Sequence, residues 1–318
     1  MIAERQPNRT EDAVRDRAIG ALVGLAVGDA IGTTLEFTSR DSRERVRGME
    51  GGGPFRLKPG EWTDDSSMAL ALADSLLACD GIDERDLMTR FVSWWKDGAY
   101  SSTGSCFDIG MTVRAALQRY LDSGNPIAGA TDPMSAGNGS LMRLSPVGIR
   151  FWNDEKLRRE AAARQSRTTH GAPEAVDACV GYADVLADAI AGHPKSEVLA
   201  DRPGEWAGLI GKIFAGSWRG KARETVKSSG YVADSLEAAL WCVGRTGTFS
   251  QAVLLAANLG GDADTIAAIT GQLAGALYGA NAIPAKWRHE LASVERIEAA
   301  ASRLFQFSLD PQPCSFPN

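Results

Sequence analysis

Cysteine and histidine are scarce in this chain of 318 residues. The five cysteines are odd in number and none belongs to a Cys-x-x-Cys pair, which argues against a disulfide framework and a structural zinc site. The three histidines form no cluster and no His-Glu-x-x-His motif, which excludes an imidazole-rich metal site. This usage is typical of a protein in a reducing compartment, and we expect a cytoplasmic location.

An excess of positive charge and a membrane-spanning segment near the N-terminus are also missing. Lys and Arg total 34 against 40 Asp and Glu, a net charge of −6, so no global positive field would hold a nucleic-acid backbone. The uncharged run over 18–28 is too short to cross a membrane and ends at Asp29. We therefore expect a buried helix there, in a monomer whose main partner is neither nucleic acid nor a membrane.

Strand patterns are nearly absent, because alternating runs rich in Val, Ile and aromatic residues hardly occur. Ala- and Leu-rich stretches with helical spacing recur instead, which predicts a mostly α-helical fold. The predicted helices cover 12–31, 64–79, 84–96, 106–121, 155–165, 173–191, 204–215, 219–228, 232–242, 249–257, 263–277 and 290–305. Residues 13–308 form one predicted domain, with 1–12 and 309–318 as flexible termini.

Glycine, by contrast, is abundant, with 34 residues. Gly20, Gly24 and Gly28 recur at a spacing of four in the first predicted helix, so they share one face. A face without side chains allows another backbone to approach closely, which predicts that this helix lies deep in the bundle. Chance occurrence in a glycine-rich chain is the alternative.

Acidic, hydroxyl and glycine residues are concentrated at two predicted helix starts. Thr63-Asp64-Asp65 precedes one apolar helical run, and Gly260-Gly261-Asp262-Ala263-Asp264-Thr265 precedes another. Taken alone, the first cluster is well explained by helix capping, because Thr is a good N-cap and acidic residues suit a first turn. The recurrence of the same chemistry suggests a shared ion instead, and oxygen-only ligands favour Mg²⁺ or Mn²⁺ over Zn²⁺. Gly28-Asp29, followed by Glu36, is a further acidic segment.

The segments between Asp16 and Trp287 carry a family resemblance. In chain order they are DRAIGALVGLAVGDAIGTTLEF, EWTDDSSMALAL, CFDIGMT, AGNGSLMRLSPVGI, THGAPEAVDAC, SSGYVAD and NLGGDADTIAAITGQLAGALYG. The set resembles the ADP-ribosylglycohydrolase family, and most of all its bacterial branch named for dinitrogenase reductase-activating glycohydrolase. Each motif alone is weakly specific, whereas the ordered set is strongly so.

The resemblance implies a fold, a reaction and a metal centre. The fold is a single compact all-α domain, an orthogonal helical bundle with two Mg²⁺ or Mn²⁺ ions in a cleft. The reaction is hydrolysis of the glycosidic bond between ADP-ribose and a protein side chain, arginine above all, so the expected partner is an ADP-ribosylated protein. The implied metal ligands are Thr63, Asp64, Asp65, Asp262, Asp264 and Thr265.

Three carboxylates form the expected catalytic set: Asp108, Glu36 and Asp65. Asp108 matches a family aspartate near the scissile bond and Glu36 a glutamate near the metals, and cleavage of a glycosidic bond requires carboxyl groups in such places. A helix-terminal carboxylate is the alternative for Asp108, and a loop salt bridge is the alternative for Glu36.

A second group of residues is expected to bind ADP-ribose: Asn138, Gly139, Ser140, His170, Tyr231, Gly260 and Gly261. Backbone N–H groups of the segment 137–140 would face the diphosphate, unless the segment is an ordinary tight turn. Tyr231 resembles a tyrosine that supports the adenine ring, and His170 resembles a histidine at the cleft. A core tyrosine and an ordinary histidine at a helix end are the alternatives.

Two other functions remain open on the sequence. One is a catalytically silent protein of the same fold that binds ADP-ribosylated partners or a toxin, and the other is a hydrolase of ADP-ribose that is O-linked to serine. Members without activity would be expected to lose metal carboxylates. Because every proposed ligand is present, the sequence favours the enzyme.

Overall fold

The computed structural model describes residues 10–309, and this part of the chain is built from helices. No β-sheet forms within it, since its β contacts are isolated bridges. The α-helices are α1 (Glu11–Gly32), α2 (Asp64–Ala78), α3 (Glu84–Asp97), α4 (Met111–Ser123), α5 (Ser145–Arg150), α6 (Glu155–Thr169), α7 (Pro173–Ala191), α8 (Lys195–Val198), α9 (Ile210–Phe214), α10 (Val232–Arg245), α11 (Phe249–Ala257), α12 (Ala263–Tyr278), α13 (Ala285–Glu290) and α14 (Val294–Leu309). The expected all-α fold is confirmed.

α1 is the central helix and packs most extensively against α12. The span Glu11–Leu35 is apolar enough to cross a membrane by composition, with a mean hydropathy of 1.6 in its most apolar window. However, 89% of that window is buried inside the protein. The prediction of a deeply buried helix is therefore confirmed.

The glycine face of α1 is the surface that meets α12. A Cβ atom on Gly24 would lie 2.3 Å from the carbonyl oxygen of Gly271, and one on Gly271 would lie 2.0 Å from that of Gly24. A Cβ on Gly28 would lie 2.1 Å from the carbonyl oxygen of Ala267. The two backbones thus touch along the seam, as the spacing of the glycines predicts, and real side chains do not fit between them.

Substitution of Gly28 by Ala should therefore destabilise the fold by about 1–3 kcal/mol, because the new methyl group forces two packed backbones apart. Urea unfolding measures the change. Gly211→Ala in α9 is the matched control, since the nearest atom to its Cβ would be the Trp206 Cβ at 3.6 Å. The control should be neutral or slightly stabilising, because Ala is the better helix former. Equal stability of Gly28→Ala and the wild type would contradict the close seam.

α5, α8 and nearly all of α13 form where no helix was predicted, and three of the predicted helices differ from the structure. The helix predicted over 219–228 is absent, and only a short 3-10 turn, Arg223–Thr225, forms there. The cause is tertiary, because the Arg40 guanidinium donates to the carbonyl oxygens of Arg223 and Val226, which holds the segment extended. α4 begins at Met111, so the preceding residues 106–110 form a loop. α9 is also shorter than the helix predicted over 204–215.

The predicted flexible termini lie largely outside the described residues, which exclude 1–9 and 310–318. Thr10 accepts a hydrogen bond from the Ala13 N–H and caps α1, so residues 11 and 12 belong to the first turn of that helix. At the other end, α14 extends to Leu309.

Candidate active site

Asp29, in the last turns of α1, braces the start of α2. Its buried carboxylate accepts hydrogen bonds from the Thr63 N–H at 2.9 Å and hydroxyl at 2.8 Å, and from the Ser66 N–H at 3.0 Å and hydroxyl at 2.7 Å. The Thr63 hydroxyl makes no capping bond to its own helix. Asp29 therefore supplies the cap, which leaves the Thr63 oxygen turned towards the neighbouring carboxylates.

The start of α12 meets the start of α2 at this point. The Thr63 hydroxyl lies 3.2 Å from an Asp65 oxygen and 3.5 Å from an Asp264 oxygen. Asp264 also accepts the N–H of Thr265 at 2.8 Å, which orients its carboxylate. The two acidic clusters, about two hundred positions apart in sequence, are thus adjacent in space.

Two groups of carboxylates are close enough to hold cations. Oxygens of Asp29, Asp65 and Asp264 lie within 4.8 Å of one another, and so do oxygens of Glu36, Asp108 and Asp264. Asp264 belongs to both groups. Asp65 Oδ1 and Glu36 Oε2 are buried and accept no hydrogen bond from any residue in 10–309. Since an unpaired buried carboxylate oxygen is costly, these atoms fit a site for hard divalent cations.

Burial raises the pKa of the carboxyl groups in this cluster, and the repulsion between neighbouring carboxylates adds to the shift. The pKa of Glu36 rises to about 9, through burial first and Asp108 next. The pKa of Asp108 rises to about 7, through burial first and Asp29 next. The pKa values of Asp64, Asp65 and Asp264 are raised well above the usual range for the same two reasons. Cations in their midst would favour the ionised forms.

Mg²⁺ or Mn²⁺ should raise the melting temperature of the protein, because a cation binds the assembled cluster and not the unfolded chain. At one hundred times the dissociation constant the gain is about 2.7 kcal/mol, which corresponds to several degrees. Differential scanning fluorimetry with and without EDTA measures it. A melting temperature that stays the same at millimolar concentrations of both metals would contradict a metal site.

Part of the acidic cluster lines a cleft of about 390 Å³, a volume within the range of small-molecule sites. Carboxylates from four separate segments line it together with a glycine-rich loop and a histidine: Glu36, Asp64, Asp108, Gly137, Asn138, Gly139, His170, Asp262, Asp264 and Thr265. Thr63, Asp65 and Asp29 are not among its lining residues. The carboxylates and the loop thus share one cavity. One side of this cleft is acidic, and the other side is rich in backbone groups.

The segment 137–140 presents free backbone donors. Within the described residues, the N–H groups of Gly139 and Ser140 donate to no other group. The Asn138 side chain is already engaged, because its Nδ2 donates to Asp262 at 2.5 Å and to Ser235 at 2.9 Å. The Ser140 hydroxyl is enclosed in the core, where it accepts from Ser166 at 2.9 Å. The Ser140 hydroxyl is therefore not available to the cleft, and Ser140 is not among the lining residues.

His170 lines the cleft as a neutral ring. Burial lowers its pKa to about 3, with the positive charge of Arg143 as the second cause. Its Nδ1 lies 2.9 Å from the Thr169 hydroxyl. Tyr231 is half-buried outside the lining residues, and its hydroxyl donates to Glu174 at 2.5 Å.

Gly260 and Gly261 are likewise outside the lining residues and form the turn before α12. Both have positive φ, 68° and 69°. Gly261 pairs with the segment beside Glu36, since its carbonyl accepts the Phe37 N–H at 2.8 Å and its N–H donates to the Thr38 carbonyl at 2.8 Å. The glycines therefore hold the Glu36 segment against the start of α12.

The sequence alone indicated no specific role for Asp29 or Arg143. The available signal for Asp29 was an acidic residue that directly ends an uncharged helical run. Arg143, in the motif after the glycine-rich loop, is fully buried beneath that loop.

Comparisons with known proteins agree with this geometry. The family model described as ADP-ribosylglycohydrolase matches residues 10–313. The chain is 47% identical to ADP-ribosylarginine hydrolase Tri1 of Serratia proteamaculans (strain 568), over 91% of this chain and 79% of that protein. It is 34% identical to ADP-ribosyl-[dinitrogen reductase] glycohydrolase of Rhodospirillum rubrum, over 89% and 92%. The motifs alone pointed to the second branch, whereas the identity is higher to the arginine hydrolase.

A solved structure described as an ADP-ribosylglycohydrolase-related protein complex has the same fold. The TM-score is 0.83 at 42% sequence identity, and the match covers 93% of this chain and 99% of that one.

Proposed function

Because this chain belongs to the ADP-ribosylglycohydrolase family, we propose that it hydrolyses the bond between ADP-ribose and an arginine side chain of a modified protein. The observation that carries the proposal is the two clusters of three carboxylates that share Asp264, one of which, Glu36, Asp108 and Asp264, lines the cleft. The likeness to an ADP-ribosylarginine hydrolase supports arginine as the linkage. A cytoplasmic monomer with no nucleic-acid or membrane partner is part of the proposal.

Two Mg²⁺ or Mn²⁺ ions are the proposed cofactors. Their proposed ligands are Thr63, Asp64, Asp65, Asp262, Asp264 and Thr265, and Asp29 orients the first of these. When bound, such ions orient sugar hydroxyls and supply a nucleophile from water. The unpaired oxygen of Asp65 and the position of Asp264 in both carboxylate groups support this assignment.

Glu36 and Asp108 are proposed to handle the leaving side chain. A guanidinium binds a carboxylate through a fork of hydrogen bonds, so the ionised form of a carboxyl group at the cleft wall can hold the arginine, and its protonated form can give a proton to the departing nitrogen. Without bound cations, burial and Asp29 raise the pKa of Asp108 to about 7. The amides of Gly139 and Ser140 are proposed to bind the diphosphate, with neutral His170 beside them and Tyr231 under the adenine.

The test is release of ADP-ribose from arginine-modified and serine-modified proteins, each with Mg²⁺, Mn²⁺ or EDTA. We expect metal-dependent release from the arginine-modified protein. Release from the serine-modified protein alone would assign the O-linked reaction instead. Binding of ADP-ribose without any turnover would assign the silent binding function.

A further inference from the structure

Arg143 is a fully buried arginine at the start of the segment that follows the glycine-rich loop. Its Nε donates to the Gln165 side chain at 3.0 Å, and one Nη donates to the Gln165 carbonyl at 2.9 Å. Within the described residues, no carboxylate accepts a hydrogen bond from this guanidinium. A buried positive charge is costly, so neutral partners alone are an unusual setting for it.

One of its partners is the peptide that joins Gly139 to Ser140. Arg143 Nη1 donates to the Gly139 carbonyl at 3.2 Å. In a planar trans peptide, the C=O and the next N–H point in opposite directions. The Ser140 N–H therefore points away from the guanidinium. Gly139 lines the cleft, and Arg143 is fully buried and outside the lining residues.

A second partner connects Arg143 to His170. Arg143 Nη2 donates to the Thr169 hydroxyl at 2.9 Å, and this hydroxyl lies 2.9 Å from His170 Nδ1. A Cβ on Gly139 would lie 2.8 Å from the His170 ring, so the loop and the ring are in direct contact. Arg143 thus contacts both partners of this contact, the loop through the Gly139 carbonyl and the His170 ring through the Thr169 hydroxyl.

We propose that Arg143 is a positioning residue that holds the Gly139–Ser140 amides and the His170 ring in place for a diphosphate, and that its buried charge adds to the attraction for that anion. This inference rests on the proposed function, because it takes ADP-ribose as the ligand. The guanidinium is needed for its shape, since it spans the loop and α6 with several donors at once. Lysine keeps the charge but offers a point donor that cannot reach all of these acceptors.

The test compares Arg143→Lys with Thr169→Val. The second substitution removes the Thr169 hydroxyl, which accepts from Arg143 and contacts His170, and it changes no charge. Arg158→Lys is the matched control. Arg158 is also a buried arginine, but it lies in α6, pairs with Asp184 at 2.8 Å and is outside the lining residues of the cleft. Calorimetry with free ADP-ribose measures affinity. The metal-induced rise in melting temperature measures the carboxylate cluster separately.

We expect Arg143→Lys to weaken ADP-ribose binding by about tenfold or more, because lost charge-assisted hydrogen bonds exceed about 1.4 kcal/mol. KM should rise more than kcat falls, since the loop holds substrate and transition state alike. Thr169→Val should act in the same direction by a smaller factor and keeps the test valid if Arg143→Lys does not fold. Arg158→Lys should lose stability with unchanged ADP-ribose affinity, and all variants should keep the metal response.

Wild-type affinity in Thr169→Val and in folded Arg143→Lys would overturn the positioning role. So would an equal loss of affinity in Arg158→Lys, because it would reveal a general effect of destabilisation. If the unchanged protein binds no ADP-ribose and releases none from modified proteins, the proposed function fails, and this inference fails with it.

Discussion

Replacement of Asp264 by Asn is expected to lower turnover by about a thousandfold, equivalent to about 4 kcal/mol of transition-state stabilisation. Asp264 is the carboxylate common to both potential metal groups, so its loss weakens both at once. Asparagine has nearly the same shape and leaves no core cavity. The structure identifies Asp264 as the residue that the two groups share, which the sequence does not distinguish from the other implied ligands.

The same substitution should raise the melting temperature of the metal-free protein. The pKa of Asp264 is raised well above its usual range by burial and by Glu36, so its ionised form destabilises the folded state. The sign follows from proton linkage: a carboxyl group with a raised folded-state pKa retains its full stability below the ordinary carboxyl pKa and loses it as pH rises through the folded-state pKa. Asparagine removes that loss, so the gain should be larger at pH 8 than at pH 4.

Thermal melts in EDTA at several pH values, together with circular dichroism and turnover, measure these effects. Asp184→Asn is the matched control, because Asp184 is a buried aspartate that pairs with Arg158 at 2.8 Å. The control should lower the melting temperature and leave the metal response intact. An Asp264→Asn protein that unfolds like the control would show that Asp264 has a structural role instead.

Much of the fold was predictable because its strongest signals are local. The Gly20, Gly24 and Gly28 spacing predicted a close approach by another backbone, and the structure identifies that backbone as α12. The helix over 219–228 was wrong because Arg40, far away in sequence, takes the carbonyl groups that a helix would use. No local pattern reports such a contact.

The candidate site divides in the same way. The composition of the two acidic helix starts suggested a cation, but whether Thr63 caps its own helix depends on Asp29, whose position in space the sequence does not give. The sequence predicted a helix over 106–121, so it missed the loop before α4 and the backbone conformation of Asp108 within it. The alternative interpretation of Asp108 as a helix-terminal carboxylate does not fit, since Asp108 lies in the loop before Gly110, the N-cap of α4.

Asp108→Asn should cut hydrolysis of ADP-ribosylarginine by about a hundredfold or more, because positioned proton transfer contributes about that much. Asparagine is a sharper choice than alanine. Asp108 has a φ of 58°, a left-handed conformation that Asn tolerates and Ala does not, so backbone strain is avoided. Affinity for free ADP-ribose should stay within about tenfold, a change of about 1.4 kcal/mol, since the guanidinium is absent from that ligand.

Glu36→Gln is the contrast that assigns the effect. Glu36 is more deeply buried, and its Oε2 accepts no hydrogen bond, which leaves it free for a cation. Its substitution should lower both the metal-induced rise in melting temperature and turnover, whereas Asp108→Asn should reduce turnover with a smaller change in the metal response. Loss of ADP-ribose binding in Asp108→Asn would place Asp108 among the groups that hold the ligand. Turnover near the wild-type value would remove it from the reaction, and the leaving nitrogen would then depend on Glu36 for its proton.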